Sequence, residues 1–168
     1  AAIEFCTGVI RNGVNNWFRI YAGEQVAGLK KLGEAAPAGA LDGWQYTLDN
    51  WGLILFIAGC IGSNFAGWVS DKMFGSRRAP AAALLYGMLV VCFAAMIFTL
   101  TRSWVLCGIL FFVSLAVIGS HGVLSGTATM DFGGRKGAAT AVGVIDGVVY
   151  LGTAVQAFAL GKITTEPS

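Results

Sequence analysis

Residues 67–80 read GWVSDKMFGSRRAP. This short polar stretch is bounded on each side by apolar chain, about 48–69 before it and 80–100 after it. A hydrocarbon core of about 30 Å takes about 20 mostly apolar residues per helix. Both blocks are long enough to cross, so the polar stretch between them reads as a hairpin turn at a membrane face. The whole chain agrees: of its 168 residues 56% are hydrophobic and 12% charged, and the mean hydropathy is +0.70. That profile belongs to an all-α membrane protein that crosses the bilayer several times. A formal charge of +2 gives no basis for a nucleic-acid partner, and none is expected.

Working outward from the hairpin, about five apolar stretches have helical period and spanning length: 2–22, 48–69, 80–100, 103–127 and 137–161. Segment 23–47 is the one long polar connection, and shorter loops are expected at 70–79, at the TRSW turn 101–104 and at 128–136. Alternation puts Lys72, Arg77, Arg78, Arg135 and Lys136 on one side and Lys30, Lys31, Arg102 and Lys162 on the other. Short loops rich in lysine and arginine stay in the cytoplasm, which predicts that the 67–80 turn lies on the cytoplasmic side of a cell inner (plasma) membrane. Cys6, Cys60, Cys92 and Cys107 fall within spans without the short spacing of a zinc site or disulfide framework, so apolar packing is their expected role and no metal is expected. Glycines recur within the spans, among them Gly59, Gly62, Gly67, Gly119, Gly122, Gly126, Gly143, Gly147 and Gly152, which suits close helix packing in lipid. Glu4 and the polar residues near it do not fit a cleavable leader, and the chain reads as a piece of a longer protein.

The first span is unusual. GVIRNGVNNWFRIY, residues 8–21, carries two arginines and three asparagines. On a helical wheel with about 100° per residue, Glu4, Arg11, Asn12, Asn15, Asn16 and Arg19 fall on one arc and the apolar residues on the rest. A charge at bilayer depth costs about 2.5–3.5 kcal/mol on insertion scales, so it faces protein or a watery cavity. Arg19, near a helix end, reads as an interfacial anchor whose head reaches the headgroups. Arg11, midway along, reads in two ways. One is a structural ion pair, with Glu4 two turns away or with Asp146 on another helix; the other is a fixed cation that grips a phosphate or carboxylate with both arms of its guanidinium. Asn64, His121 and Asp146 are the other polar groups within spans. His121 reads as packing, a proton carrier or a ligand donor, and Asp146 as a second site or gating candidate.

The turn GWVSDKMFGSRRAP resembles the cytoplasmic signature of the major facilitator superfamily, through Gly67, Asp71, Gly75, Arg77 and Arg78. IRNGVNNW, AGWVSDKMF and GRKGAATAVGVIDGVVYLG look more narrowly like the seventh helix, the loop after the eighth and the eleventh helix of the organophosphate:phosphate antiporter family. The resemblance covers essentially the whole chain. It implies the C-terminal half of a twelve-helix fold, residues 1–168 supplying helices seven to eleven of a six-helix bundle, with the N-terminal half and the last helix of the same protein as the expected partner. In that family an arginine from helix one and another from helix seven clamp the substrate phosphate, and Arg11 matches the latter. Asn12, Asn15, His121 and Asp146 join it as candidate substrate-binding residues, and Gly67, Asp71, Arg77 and Arg78 as a conformational motif. Gly8 stands where glycerol-phosphate members have an aromatic residue, Phe56 where they have an acid, and Asp146 where they have a small residue.

The function implied is exchange of inorganic phosphate for a phosphorylated organic solute by alternating access, without an enzyme's covalent chemistry, catalytic residues or cofactors. GGRKG, residues 133–137, lacks the strand and the Lys-Ser/Thr pair of a nucleotide-binding loop. Two other readings remain open: a membrane sensor of sugar phosphate that keeps the transporter fold, and a carrier of another organic anion.

Overall fold

The computed structural model describes residues 2–33, 36–100 and 102–165, and within these the side chains of 127, 128, 130–136, 164 and 165 lie outside the description. Among the described residues the regular structure is helical throughout. Helix α1, Ala2–Asn12, passes through a wide π turn, Gly13–Trp17, into α2, Phe18–Leu32. Then follow α3, Ala40–Asp49; α4, Trp51–Trp68, ending in a second π turn, Val69–Met73; and α5, Arg78–Thr99. Helix α6, Ser103–His121, ends in a third π turn, Gly122–Thr127, and α7 covers Ala128–Thr165.

Four helical lengths are long and apolar enough to cross a membrane: Trp51–Met73, Arg78–Thr99, Ser103–Gly126 and Gly137–Ile163. The expected first span, 2–22, is helical but too polar to join them by composition, since Glu4, Arg11 and Arg19 interrupt it. It also runs on past residue 22. The expected loop at 23–47 is mostly helix, because Ala22 and Val26 continue a buried face while Lys30 and Lys31 complement the negative end of α2. Asn50 separates α3 from α4, its side-chain amide donating to the Tyr46 carbonyl at 3.0 Å. Pro80 sits in the first turn of α5, where a missing N–H costs nothing.

The expected loop at 128–136 also differs. Its backbone is helical, although Arg135 and Lys136 lie outside the described side chains. Ser125 nonetheless donates to Asp146, 21 residues later, at 2.6 Å. A straight helix would separate them by about 32 Å, so the chain does reverse between these two residues, within helical backbone instead of an open loop.

Helix α6 is the centre of the molecule. Of its spanning stretch 56% is buried, against 22% for α4, 22% for α5 and 11% for α7. Leu106, Leu110, Val113, Ala116 and Val117 of α6 form one core with Val14, Phe18, Ala22 and Val26 of the first helical stretch, Trp44 of α3, Trp51 of α4 and Leu89 of α5. The rings of Phe18 and Trp51 lie 4.9 Å apart in this cluster. Val90, Val91, Ile97 and Phe98 of α5 point outward, as suits helices solvated by lipid.

Two helix pairs touch backbone to backbone. A Cβ on Gly119 of α6 would stand 2.7 Å from the Gly62 carbonyl of α4, and one on Gly62 would collide with the Leu115 carbonyl. Gly8 of α1 and Gly152 of α7 meet Val149 and Phe5 in the same way. Small residues thus do set the closest approaches, but at fewer places than the sequence offered: a Cβ on Gly67, Gly126, Gly143 or Gly147 would meet nothing among the described residues. No described residue packs closely on Gly67. Its neighbourhood is instead ordered by Gly75 and Ser76, both at positive φ, which make the reversal before α5.

Candidate functional site

Side-chain links between α1 and α7 rise together along both helices, with Glu4 and Asp146 at the level of His121, then Gly8 with Thr153, then Asn12 with Gln156. Phe5 meets Gly152 and Gly8 meets Val149 through backbone, the Thr153 hydroxyl donates to the Gly8 carbonyl at 3.2 Å, and the Arg11 guanidinium lies over the Tyr150 ring at 5.5 Å. One level further the Asn12 amide donates to Gln156. The two helices therefore run in the same direction, as expected of the first and fifth spans of an alternating chain.

Above this contact opens a cavity of ≈ 400 Å³ lined by Arg11, Asn12, Asn15, Asn16, Ile118, His121, Tyr150 and Thr153. Arg11, Asn12, Asn15 and Asn16, the middle of the polar arc of the first helix, form one wall of this cavity. Arg11 is half-buried in it, whereas Arg19 is exposed beyond it. Asn16 donates to the Asn12 side-chain oxygen, and Asn12 in turn donates to Gln156, so the amides form a chain from the cavity to α7. The π turn has a partner of its own: the Trp51 indole N–H donates to the Asn15 carbonyl at 3.1 Å, and a widened turn is where such a carbonyl comes free.

Both ion-pair partners suggested for Arg11 are engaged elsewhere. Glu4 is buried and its carboxylate lies 3.3 Å from His121 Nδ1, while His121 Nε2 lies 3.8 Å from Asp146. Asp146 also accepts the Ser125 hydroxyl. Among the described residues no carboxylate pairs with Arg11, whose charge faces an aromatic ring and an open cavity. The structural ion-pair reading of Arg11 is thereby corrected. Helix α6 is the physical reason, since it inserts His121 between the two acids.

Of the predicted site residues, Arg11, Asn12, Asn15 and His121 share the cavity, and Asp146 stands just behind His121. The sequence reading missed Tyr150, Thr153, Gln156 and Trp51. A signal for two of these was present: Asp146, Tyr150 and Thr153 follow one another at helical spacing on one face of α7. Asn64 donates to the Cys60 carbonyl at 2.8 Å and is exposed on α4, away from this cavity. Phe56 is exposed as well.

The turn motif forms a separate cluster. Arg78 pairs with Asp71 at 2.9 Å and donates to the Ser70 hydroxyl at 2.9 Å, and Ser76 donates to Asp71 at 3.1 Å. Arg77 is exposed beside it. Asp71 thus ties the end of one spanning helix to the start of the next.

Helix order, four membrane-crossing lengths and a polar cavity between apolar helices define a multi-pass, all-α membrane chain. Comparison with known proteins narrows the class. The chain is 28% identical over 167 residues to a probable hexose phosphate transport protein of Chlamydia pneumoniae, covering 98% of this chain and 33% of that protein. It is 23% identical over 156 residues to the membrane sensor protein UhpC of Salmonella typhimurium, covering 92% and 32%, and 24% identical over 166 residues to UhpC of Escherichia coli, covering 96% and 34%. The chain thus spans about a third of the length of these relatives. No family model and no solved structure matches it. Over nearly its whole length the chain is thus similar to a hexose phosphate transport protein and to two UhpC membrane sensors.

Proposed function

We propose that the protein containing this chain moves a phosphorylated organic solute of the sugar-phosphate or glycerol-phosphate type across the inner (plasma) membrane, in exchange for inorganic phosphate. Residues 1–168 supply helices seven to eleven of its C-terminal bundle, and an N-terminal half closes the cavity from the opposite side. The observation that carries this reading is Arg11: a guanidinium in a polar cavity between membrane helices, stacked on Tyr150 and paired with no carboxylate among the described residues. A planar cation with free donors suits a phosphate, whose oxygens accept two parallel N–H bonds. The asparagine amides of Asn12, Asn15 and Asn16 are suited to hydroxyl or phosphate oxygens. Transport requires no covalent step, only access from alternate sides, and Asp71 with Arg78 is the proposed latch at the cytoplasmic face.

The names of the relatives favour a second reading. A sensor would use the same cavity to bind a sugar phosphate without net flux. Exchange of labelled inorganic phosphate in proteoliposomes of the full-length protein separates the two. Transport predicts exchange in the wild type and its loss in Arg11→Ala. Exchange that is unchanged in the variant overturns the role of Arg11, and phosphate binding without exchange moves the protein to the sensor class.

A further inference from the structure

Glu4, His121 and Asp146 come from three helices, α1, α6 and α7, and meet around one imidazole. Their side-chain exposures are 5%, 20% and 37%, so the cluster grades from a buried acid to one reached by solvent. Glu4 Oε2 faces His121 Nδ1, but Glu4 Oε1 is buried without a hydrogen-bond partner among the described residues. An imidazole nitrogen can donate to each acid only when both nitrogens carry protons. The charge count depends wholly on protons. With both acids ionised and His121 neutral the cluster carries two negative charges; a proton on His121 leaves one, and a second proton, on a carboxyl, leaves none. That second proton, on Glu4, would make its buried Oε1, which has no hydrogen-bond partner among the described residues, part of a neutral carboxyl instead of a charged one.

Among the described residues no other charged side chain bonds to the cluster. From α5 the Tyr86 hydroxyl approaches, bonded to Thr7 of α1 and close to Glu4 and Cys6. From the third π turn Ser125 donates to Asp146. Helix α4, packed against α6, carries no charged side chain, only Cys60 among titratable groups. On α7 Tyr150 is engaged by Arg11, and Arg11 is the cation of the adjoining cavity, where His121 itself is part of the wall. A net charge among membrane helices is costly.

We propose that Glu4, His121 and Asp146 form a proton-binding site, and that a phosphate anion entering the Arg11 cavity draws a proton onto it. The coupling half of this inference rests on the phosphate reading of the cavity. Its physical basis is the shared wall: a phosphate brought to Arg11 adds negative charge beside His121, and proton uptake at the cluster offsets it. The same α1–α7 contact carries both sites. Arg11 lies two turns from Glu4 on one helix, Tyr150 one turn from Asp146 on the other, and any displacement of one helix against the other changes both at once.

Infrared difference spectroscopy on the purified full-length protein tests this directly. Lowering the pH should produce a carboxylic-acid C=O band that Glu4→Gln or Asp146→Asn removes and His121→Gln alters. Adding inorganic phosphate at fixed pH should enlarge that band in the wild type and leave Arg11→Ala unchanged. Identical pH-difference spectra in the wild type and all three cluster variants overturn the proton site. The wild-type spectrum with and without phosphate keeps the test meaningful even if a variant fails to fold. A band insensitive to phosphate, in protein that exchanges phosphate, overturns the coupling alone. The same insensitivity in protein that neither binds nor exchanges phosphate overturns the coupling together with the proposed function, while the pH-dependent band still decides the proton site.

Discussion

The backbone of Gly8 lies directly against the carbonyl of Val149, with no room for even a Cβ between them. This contact sets the distance between the helix that carries Arg11 and the helix that carries Tyr150. It also explains the residue itself: an aromatic side chain at position 8 would have to displace α7.

Replacement of Gly8 should therefore be costly in proportion to size. Gly8→Ala is expected to destabilise the full-length protein by about 1–3 kcal/mol, the range for overpacking a close contact, and Gly8→Val by more. Gly143→Ala, at a helical position where a Cβ would meet nothing among the described residues, should be neutral or slightly stabilising, since alanine is favoured over glycine in helices by about 1 kcal/mol. Thermal unfolding in detergent measures both, and equal melting temperatures for the two alanine variants would refute the packing argument.

Asn12 and Gln156 form a buried amide pair across the same interface. Gln156→Leu removes the acceptor and leaves a buried N–H without its partner, which should cost about 1–3 kcal/mol. Asn12→Leu combined with Gln156→Leu should recover part of that loss, because neither polar group is then left behind. A double-mutant cycle on thermal stability reads the coupling; additive losses would mean that the pair is independent.

Arg11 and Tyr150 give the sharpest functional expectation. Cation–π contacts are worth about 0.5–2 kcal/mol, so Tyr150→Leu should weaken inorganic phosphate binding by a few-fold to about thirtyfold, and Tyr150→Phe should have little effect. Arg11→Lys keeps the charge but loses the planar fork, and should bind more weakly than the wild type yet better than Arg11→Ala. Titration calorimetry with inorganic phosphate ranks the four variants. Equal affinity for Arg11→Lys and Arg11→Ala would remove the electrostatic part of the argument.

At the 67–80 turn, the exposed Asp71–Arg78 pair should contribute little to stability on its own, about 0–1 kcal/mol. Gly75 matters more for the fold, because its φ of 56° is one that a side chain resists. Gly75→Ala should cost about 1–2 kcal/mol through backbone strain, visible as a lower melting temperature. If Asp71→Asn leaves that temperature unchanged but slows exchange, the pair acts on the transport cycle and not on the fold.

Hydropathy and spacing were enough to establish the membrane class, four of the crossing helices, the hairpin at 67–80 and the polar arc of the first helix. These are properties of consecutive residues, fixed by the thickness of a bilayer and the period of a helix. They were not enough for the ends of the polar connections, where Ala22 and Val26 continue a buried face only because α3 and α6 are there to receive it. Nor did they show the partners of Arg11. Glu4 and Asp146 are equally plausible counter-ions on a wheel or in a list of polar residues. Only the packing of α6 between α1 and α7 places His121 between the two acids, and only the Gly8–Val149 contact brings Tyr150 beneath the guanidinium. Charge pairing depends on distances of a few ångströms between residues more than a hundred positions apart, and those distances are set by which small residues let two backbones touch.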